Sequence, residues 1–279
     1  MKKLLLTASL VFAVVISNAQ LTSKNGTPIL PETDDWSLGF DAHPLLNYVG
    51  NMFNNTANNS INMGYPSNNG MTIVGKLVKD ETTAYRAKIA INFGSETVTH
   101  STVGAGFDST FSVSETKTSS MNITLGAGIQ KWRGNGRLKG FYGAEAMVGF
   151  GSMPTMKYSY LKPLDATTSP QGVNQVSEDK GGSLFGFGVN GFIGVEYFFA
   201  PKISMSAEYT WGVAISSEGA SEQSYKVVES PSGTPIVSSK TDVNGDKTSN
   251  FNVGVGNTVT PNILNSGSGS GSIVLNFYF

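Results

Sequence analysis

The 279-residue chain contains no cysteine. Disulfide bonds, thiolate metal ligands and cysteine nucleophiles are therefore excluded. Charged residues make up only 14% of the chain, and 19 Lys and Arg against 20 Asp and Glu leave a net charge of −1. Nucleic-acid binding depends on a basic surface, so this balance predicts that the protein has no nucleic-acid partner.

The first residues have the pattern of a secretion signal. Lys2 and Lys3 precede an apolar run over residues 4–16, and small residues follow at Ser17 and Ala19. The run is shorter than the roughly 20 apolar residues that a membrane-spanning helix requires. We therefore expect residues 1–19 to be a cleaved signal peptide, residues 20–33 to be a periplasmic N-terminal segment, and residues 34–279 to form one domain.

Apolar and polar residues alternate with a period of two in eight segments. This period predicts β-strands and argues against helices. The segments span residues 36–42, 73–77, 85–93, 123–129, 142–150, 185–199, 205–213 and 272–279.

The connections between these segments alternate between short and long. Residues 79–83, 133–137 and 200–202 have the composition of tight turns. Residues 43–70, 94–120, 151–182 and 215–267 are far longer than hairpin loops. This order predicts an all-β fold, an eight-stranded antiparallel up-and-down transmembrane β-barrel with short periplasmic turns and long extracellular loops.

One face of each predicted strand is apolar, and ionisable residues lie on the other face. A soluble barrel has the reverse polarity, with an apolar interior, so a lipocalin-like soluble barrel is the disfavoured alternative. We expect the apolar faces to contact lipid and the charges to pair inside the barrel. The predicted internal charge network consists of Asp41, Lys76, Arg86, Lys88, Glu145, Glu196 and Glu208.

Aromatic residues gather near the strand ends, where amphipathic rings favour a membrane interface. The predicted outer band contains Phe93, Phe150, Phe185 and Trp211. The predicted periplasmic band contains Trp36, Tyr85, Trp132, Tyr197 and Phe199, together with Phe277 and Phe279 of the last strand.

The chain resembles the small eight-stranded outer-membrane barrels of the OmpA-transmembrane and OmpX type. Residues 194–205 are similar to their penultimate hairpin, and the chain ends on an aromatic strand with Phe277 and Phe279. The resemblance implies that Phe277 and Phe279 form an assembly signal for the barrel-assembly machinery, and that outer-membrane lipid surrounds the barrel. It implies no catalytic residues, and we expect no peptidoglycan-binding domain.

The two histidines are the best candidates for catalytic residues. His43 lies two residues after Asp41, and His100 precedes Ser101. A Ser nucleophile needs a base within hydrogen-bond reach, but no known motif surrounds either histidine. We therefore predict that the protein is not an enzyme, with no catalytic residue, cofactor or metal ion. An outer-membrane lipid-modifying enzyme that uses His43 is kept as an alternative.

The extracellular loops are the best remaining candidates for function. We expect a monomeric protein of the outer membrane whose loops mediate surface contact or association with another outer-membrane complex. Within the longest loop, residues 225–237 read as a hairpin whose unpaired edges could add to a partner's sheet. Residues 44–53 have helical spacing and predict a short helix at the barrel rim. Porin-like transport of small solutes is the second alternative.

The predicted location gives a direct test. The protein should fractionate with outer membranes and change its mobility on gels when it is boiled, because a closed barrel has no free strand edge from which to unfold. Cell fractionation followed by gels of boiled and unboiled samples checks both. Recovery in the soluble periplasmic fraction would contradict the sequence interpretation.

Overall fold

The computed structural model of the protein describes residues 21–23, 25–41, 71–100, 112–243, 245–254 and 271–279. Within these ranges thirteen strands form one antiparallel sheet. They are β1 (Trp36–Asp41), β2 (Met71–Asp80), β3 (Thr83–Thr99), β4 (Val113–Arg133), β5 (Leu138–Ser152), β6 (Thr155–Tyr160), β7 (Asn174–Lys180), β8 (Ser183–Ala200), β9 (Ile203–Glu218), β10 (Glu222–Glu229), β11 (Ile236–Val243), β12 (Thr248–Gly254) and β13 (Gly271–Tyr278).

Helical structure contributes little to the described residues. It is limited there to a 3-10 turn at Pro231–Gly233, between β10 and β11. No helix within these ranges is long and apolar enough to cross a membrane. The predicted signal peptide, His43 and the predicted rim helix at residues 44–53 lie outside the described residues.

Eight of the strands close into an antiparallel barrel. The cycle of neighbours is β1, β2, β3, β4, β5, β8, β9 and β13, and β13 pairs back onto β1. The predicted eight-stranded antiparallel barrel is therefore confirmed. An eight-stranded barrel encloses a space that side chains can fill.

Side chains alternate between the inside and the outside of the barrel wall, as β8 shows. Leu184, Phe192 and Phe198 point inward and are buried. Phe187 and Ile193 point outward, and about half of each side chain is exposed. The wall therefore has large apolar side chains on its outer surface as well as within.

One end of the barrel, here called the turn end, carries three tight connections. Residues 81–82 join β2 to β3, residues 134–137 join β4 to β5, and residues 201–202 join β8 to β9. The third turn places Lys202 after Pro201 with a φ of 55°, in the left-handed region. At the same end Trp36 and Phe279 exchange backbone hydrogen bonds of 3.1 and 2.8 Å.

At the opposite end three barrel strands continue as shorter strands. After brief interruptions at residues 153–154, 181–182 and 219–221, the chain of β5 continues into β6, that of β8 joins β7, and that of β9 continues into β10. Together with the first residues of β4 they form a sheet in the order β4, β6, β7, β10, β11, here called the outer sheet. We call this end of the barrel the sheet end.

The long connections contain more strand structure than the sequence predicts. The sequence predicts loops over residues 94–120, 151–182 and 215–267, and the described parts of all three contain strands. Apart from the hairpin predicted at residues 225–237, these strands were not predicted. The outer sheet has mixed polar residues on its strands, as in the NQVSEDK sequence of β7, so the period-two apolar signal is missing. β6 is held in the sheet by backbone pairing with the long strand β4.

Glycines allow the three interruptions to pack side by side. The Met153 amide donates to the Gly182 carbonyl at 2.9 Å, and the Gly219 amide donates to the Ser183 carbonyl at 2.8 Å. A Cβ atom on Gly182 would overlap the carbonyl oxygen of Gly219, and one on Gly181 would overlap that of Met153. The junction between barrel and outer sheet therefore requires residues without a side chain.

The junction gives a stability prediction. Gly182→Ala should destabilise the junction by about 1–3 kcal/mol, because the added methyl group forces backbone to move. Hydrogen exchange should then accelerate in β7 and β10 and stay unchanged in β2 and β3. Gly140→Ala is the matched control, because its Cβ would lie 3.9 Å from the nearest carbonyl oxygen, at Arg133. Equal exchange rates in the two variants would contradict the proposed role of Gly182.

Candidate functional site

The carboxylate of Glu196 in β8 accepts hydrogen bonds from five side chains inside the barrel. Its side chain has no exposed surface. Lys76 donates to both oxygens at 3.1 Å, Trp132 donates from its indole nitrogen at 2.9 Å, and Tyr278 donates from its hydroxyl at 2.8 Å. The Ser204 hydroxyl and the Asn276 amide complete the set of donors.

These donors come from four other strands of the wall. Lys76 lies on β2, Trp132 on β4, Ser204 on β9, and Asn276 and Tyr278 on β13. A carboxylate removed from water without partners would cost several kcal/mol, so the donors must be present together. The contacts of Glu196 therefore join five strands of the barrel near its turn end.

A second charged cluster lies beside Arg86 of β3. The guanidinium donates to both oxygens of Glu208, with one contact of 2.9 Å, and its Nε lies 3.4 Å from Glu145. Lys88 donates to Glu145 at 2.7 Å. The guanidinium also lies 4.5 Å from the centre of the Phe192 ring, a cation–π contact. Two cations and two carboxylates therefore neutralise one another inside the wall.

The structure brings six of the seven predicted network residues into these two clusters. The seventh, Asp41, ends β1 opposite Val274, and its side chain lies outside the described residues. Sequence reasoning missed the neutral donors Ser204, Asn276 and Tyr278. The alternation of each strand predicts that these side chains point inward. A hydroxyl or an amide, however, indicates a buried polar network less clearly than a charged group does.

Trp132 is a correction to the predicted aromatic band. Its side chain is 1% exposed and points into the barrel, where it donates to Glu196. Even-numbered residues of β4 such as Thr124 and Gln130 are buried, and Trp132 shares their parity. The band assignment relied on the position of Trp132 at a strand end and ignored that parity.

Phe277 and Phe279 lie on the outside at the turn end. Phe279 is 58% exposed, and its ring stacks on that of Trp36 with 4.7 Å between centroids. Phe277 pairs with Leu38 of β1 and Ile203 of β9, at the seam where the barrel closes. Both rings therefore lie on the outer surface of the wall.

Residues 21–23 and 25–35 lie across the turn end of the barrel. Ile29 is buried in a cluster with Trp132, Phe198 and Tyr278. The Ile29 carbonyl accepts a hydrogen bond of 3.0 Å from the Lys202 amide. The Lys202 ammonium donates to Asp35 at 2.9 Å, and this hydrogen bond raises the pKa of Lys202 above its usual range. The segment thereby covers one mouth of the barrel.

The outer sheet contains the predicted hairpin of residues 225–237, as β10 and β11. β10 also pairs with β7 along its other edge, so the expectation of a free edge on β10 is wrong. In the described part of the chain β11 pairs with β10 alone. Within the described residues β11 is therefore one edge of the outer sheet, with Ile236 and Val243 among its exposed side chains.

Ion pairs link neighbouring strands of the outer sheet. Lys157 lies 3.5 Å from Glu178, Lys180 lies 3.1 Å from Glu222, and Lys240 pairs with Glu229. The hydrogen bond from Lys240 lowers the pKa of the Glu229 carboxyl below its usual value. These pairs are solvent-exposed, and exposed pairs contribute little stability.

Of the two histidines, only His100 lies within the described residues, where it contacts the Thr116 hydroxyl at 3.0 Å. His43 and Ser101 lie outside those ranges. Within the same ranges no cluster of three or more His, Asp or Glu residues is arranged to hold a metal ion.

Comparison of the chain with protein-family models, with curated proteins and with solved structures gives no match.

The Glu196 cluster gives a quantitative prediction. Glu196→Gln removes the partner of buried Lys76 and should destabilise the barrel by about 3–5 kcal/mol. The double variant Lys76→Met with Glu196→Gln should recover part of this loss, because no uncompensated ammonium remains. Denaturant unfolding of the refolded protein compares both variants with the parent protein.

Lys157→Met is the control, because its pair with Glu178 is exposed and should contribute less than about 1 kcal/mol. A loss from Glu196→Gln as small as that from Lys157→Met would show that the interior carboxylate is solvated.

Proposed function

We propose that this protein is an outer-membrane β-barrel of the up-and-down type that carries a surface-exposed β-sheet for contact with another molecule. The observation that supports the membrane location most strongly is the distribution of polarity. Seven ionisable side chains are buried inside the wall among the described residues, whereas large apolar side chains cover its outer surface.

The apolar surface runs around the wall. Each barrel strand from β2 to β9 contributes at least one large, exposed apolar side chain, such as Leu77, Ile91, Leu125, Tyr142, Val189 and Val213. Soluble monomers rarely expose contiguous apolar areas of more than a few hundred Å². Lipid hydrocarbon is the surrounding that such a surface needs.

The orientation follows from the two ends of the barrel. Short turns and a covered mouth fit the periplasmic side, and the outer sheet fits the extracellular side, as in barrels of this architecture. The outer sheet then extends away from the membrane and presents β11 as its edge. Its unpaired backbone groups can pair with a strand of a partner protein, which is the binding mode called β-strand addition.

Transport of solutes receives less support from the same observations. The two charged clusters and the rings of Trp132, Phe141, Phe192 and Phe198 fill much of the interior near the turn end. Porins conduct through wider barrels with water-filled interiors. The enzyme alternative depends on His43, which lies outside the described residues, so it gains no support.

The lipid-facing wall can be tested by a pair of arginine substitutions. Ala146→Arg places a charge on the outer face midway along β5 and should cost about 2–4 kcal/mol in a bilayer. Leu138→Arg, on the same strand at the turn end, should cost only about 0–1 kcal/mol. Unfolding titrations in lipid vesicles compare the two. Equal costs would mean that the wall does not cross a bilayer at the proposed depth.

The orientation and the role of the outer sheet can be tested with single cysteines, because the chain has none of its own. Ser239→Cys on β11 should react with a membrane-impermeant maleimide on intact cells. Asn135→Cys, in the turn between β4 and β5, should react only after the cells are opened. Labelling of Asn135→Cys but not Ser239→Cys on intact cells would overturn the orientation.

A deletion then addresses binding. Replacing residues 222–243 by a Gly-Ser linker removes β10 and β11 and leaves every barrel strand in place. Capture of partners by the folded protein should fall relative to a variant with the same linker in place of residues 134–137. Unchanged capture would move the binding role away from this hairpin.

A further inference from the structure

A cavity of about 500 Å³ lies at the turn end, between the segment before β1 and the turns of the barrel. The segment contributes the apolar residues Leu21, Pro28 and Leu30 to the cavity wall. The barrel contributes Trp132 and the cationic side chains Arg133 and Lys139. A cavity with an apolar wall and a few convergent polar groups is the usual form of a small-molecule site.

Lys139 is the unusual member of this wall. The buried described residues include four cations, Lys76, Arg86, Lys88 and Lys139, against three carboxylates, Glu145, Glu196 and Glu208. The first three cations each lie within 4.0 Å of a carboxylate. Lys139 is only 5% exposed, and no carboxylate within the described ranges pairs with it.

The reason is visible in the register of the sheet. Lys139 lies directly opposite Glu196, on the neighbouring strand. The oxygens of Glu196 are already occupied by Lys76 and by the neutral donors around it. Lys139 contacts instead the Glu81 carbonyl at a distance of 3.5 Å and the Trp132 ring at 5.6 Å from its centre. A buried ammonium without a carboxylate partner favours the binding of an external anion.

We propose that this cavity binds an amphiphilic anion, with its single anionic group on Lys139 and its apolar chain against Leu21, Pro28 and Leu30. Arg133 adds a second positive charge on the cavity wall. Glu32 and Glu81 also line the cavity, so a highly charged anion is disfavoured. A fatty acid and a lipid phosphate monoester share the required chemistry.

Trp132 supplies the reporter for a binding experiment, because it lines the cavity. In the Trp36→Phe, Trp211→Phe background the fluorescence of Trp132 is followed as dodecanoate, dodecyl phosphate or dodecanol is added to protein in a non-ionic detergent. Either anion should give a saturable change, and the tighter one identifies the source as fatty acid or lipid phosphate. The Lys139→Met variant should bind the anion at least about tenfold more weakly, and Lys139→Arg should retain binding.

Lys131→Met is the matched control, since Lys131 lies on β4 near the same end of the barrel but is exposed. The proposal is overturned if dodecanol binds as tightly as the anions, if Lys139→Met binds them unchanged, or if no saturable change occurs.

Unfolding of the ligand-free variants adds a second readout. Lys139→Met should be at least as stable as the parent protein, and a loss equal to that of Lys76→Met would show that Lys139 already has a structural counter-ion.

Discussion

A carboxylate shielded from water must be surrounded by donors, and this constraint at Glu196 organises the barrel. Its partners come from β2, β4, β9 and β13, on several sides of the interior. Moving any of these strands by one residue would turn the donor outward and leave the charge unpaired. The cluster therefore fixes strand register more strongly than an apolar interior could, because apolar contacts tolerate exchange of similar side chains.

The same constraint determines the outer surface. Polar side chains and rings occupy the interior positions, so the large apolar residues on the other face of each strand have only the outside available. The proposed membrane location gives those residues an apolar surrounding, and water would not. At the turn end the segment around Ile29 covers the mouth, and at the other end the glycine junction lets the wall continue as the outer sheet.

The sequence predicts the barrel well because its strands have one apolar and one polar face, so period-two alternation identifies all eight of them. It predicts the charged interior for the same reason. Of the outer sheet only the β10–β11 hairpin was predicted, because β6 and β7 contain little apolar alternation and depend on pairing with β4 and β10, which are distant in sequence. The sequence also could not predict that Lys139 has no carboxylate partner among the described residues, because this depends on which cation Glu196 binds.

The central claim is that the polar face of the wall points inward and the apolar face meets lipid. Single-tryptophan variants reconstituted in bilayers with brominated acyl chains test it, because bromine quenches fluorescence at short range. Trp211 is 41% exposed on the outer face and should be strongly quenched, whereas Trp132, 1% exposed inside, should be spared. Quenching of Trp132 as strong as that of Trp211 would contradict the account.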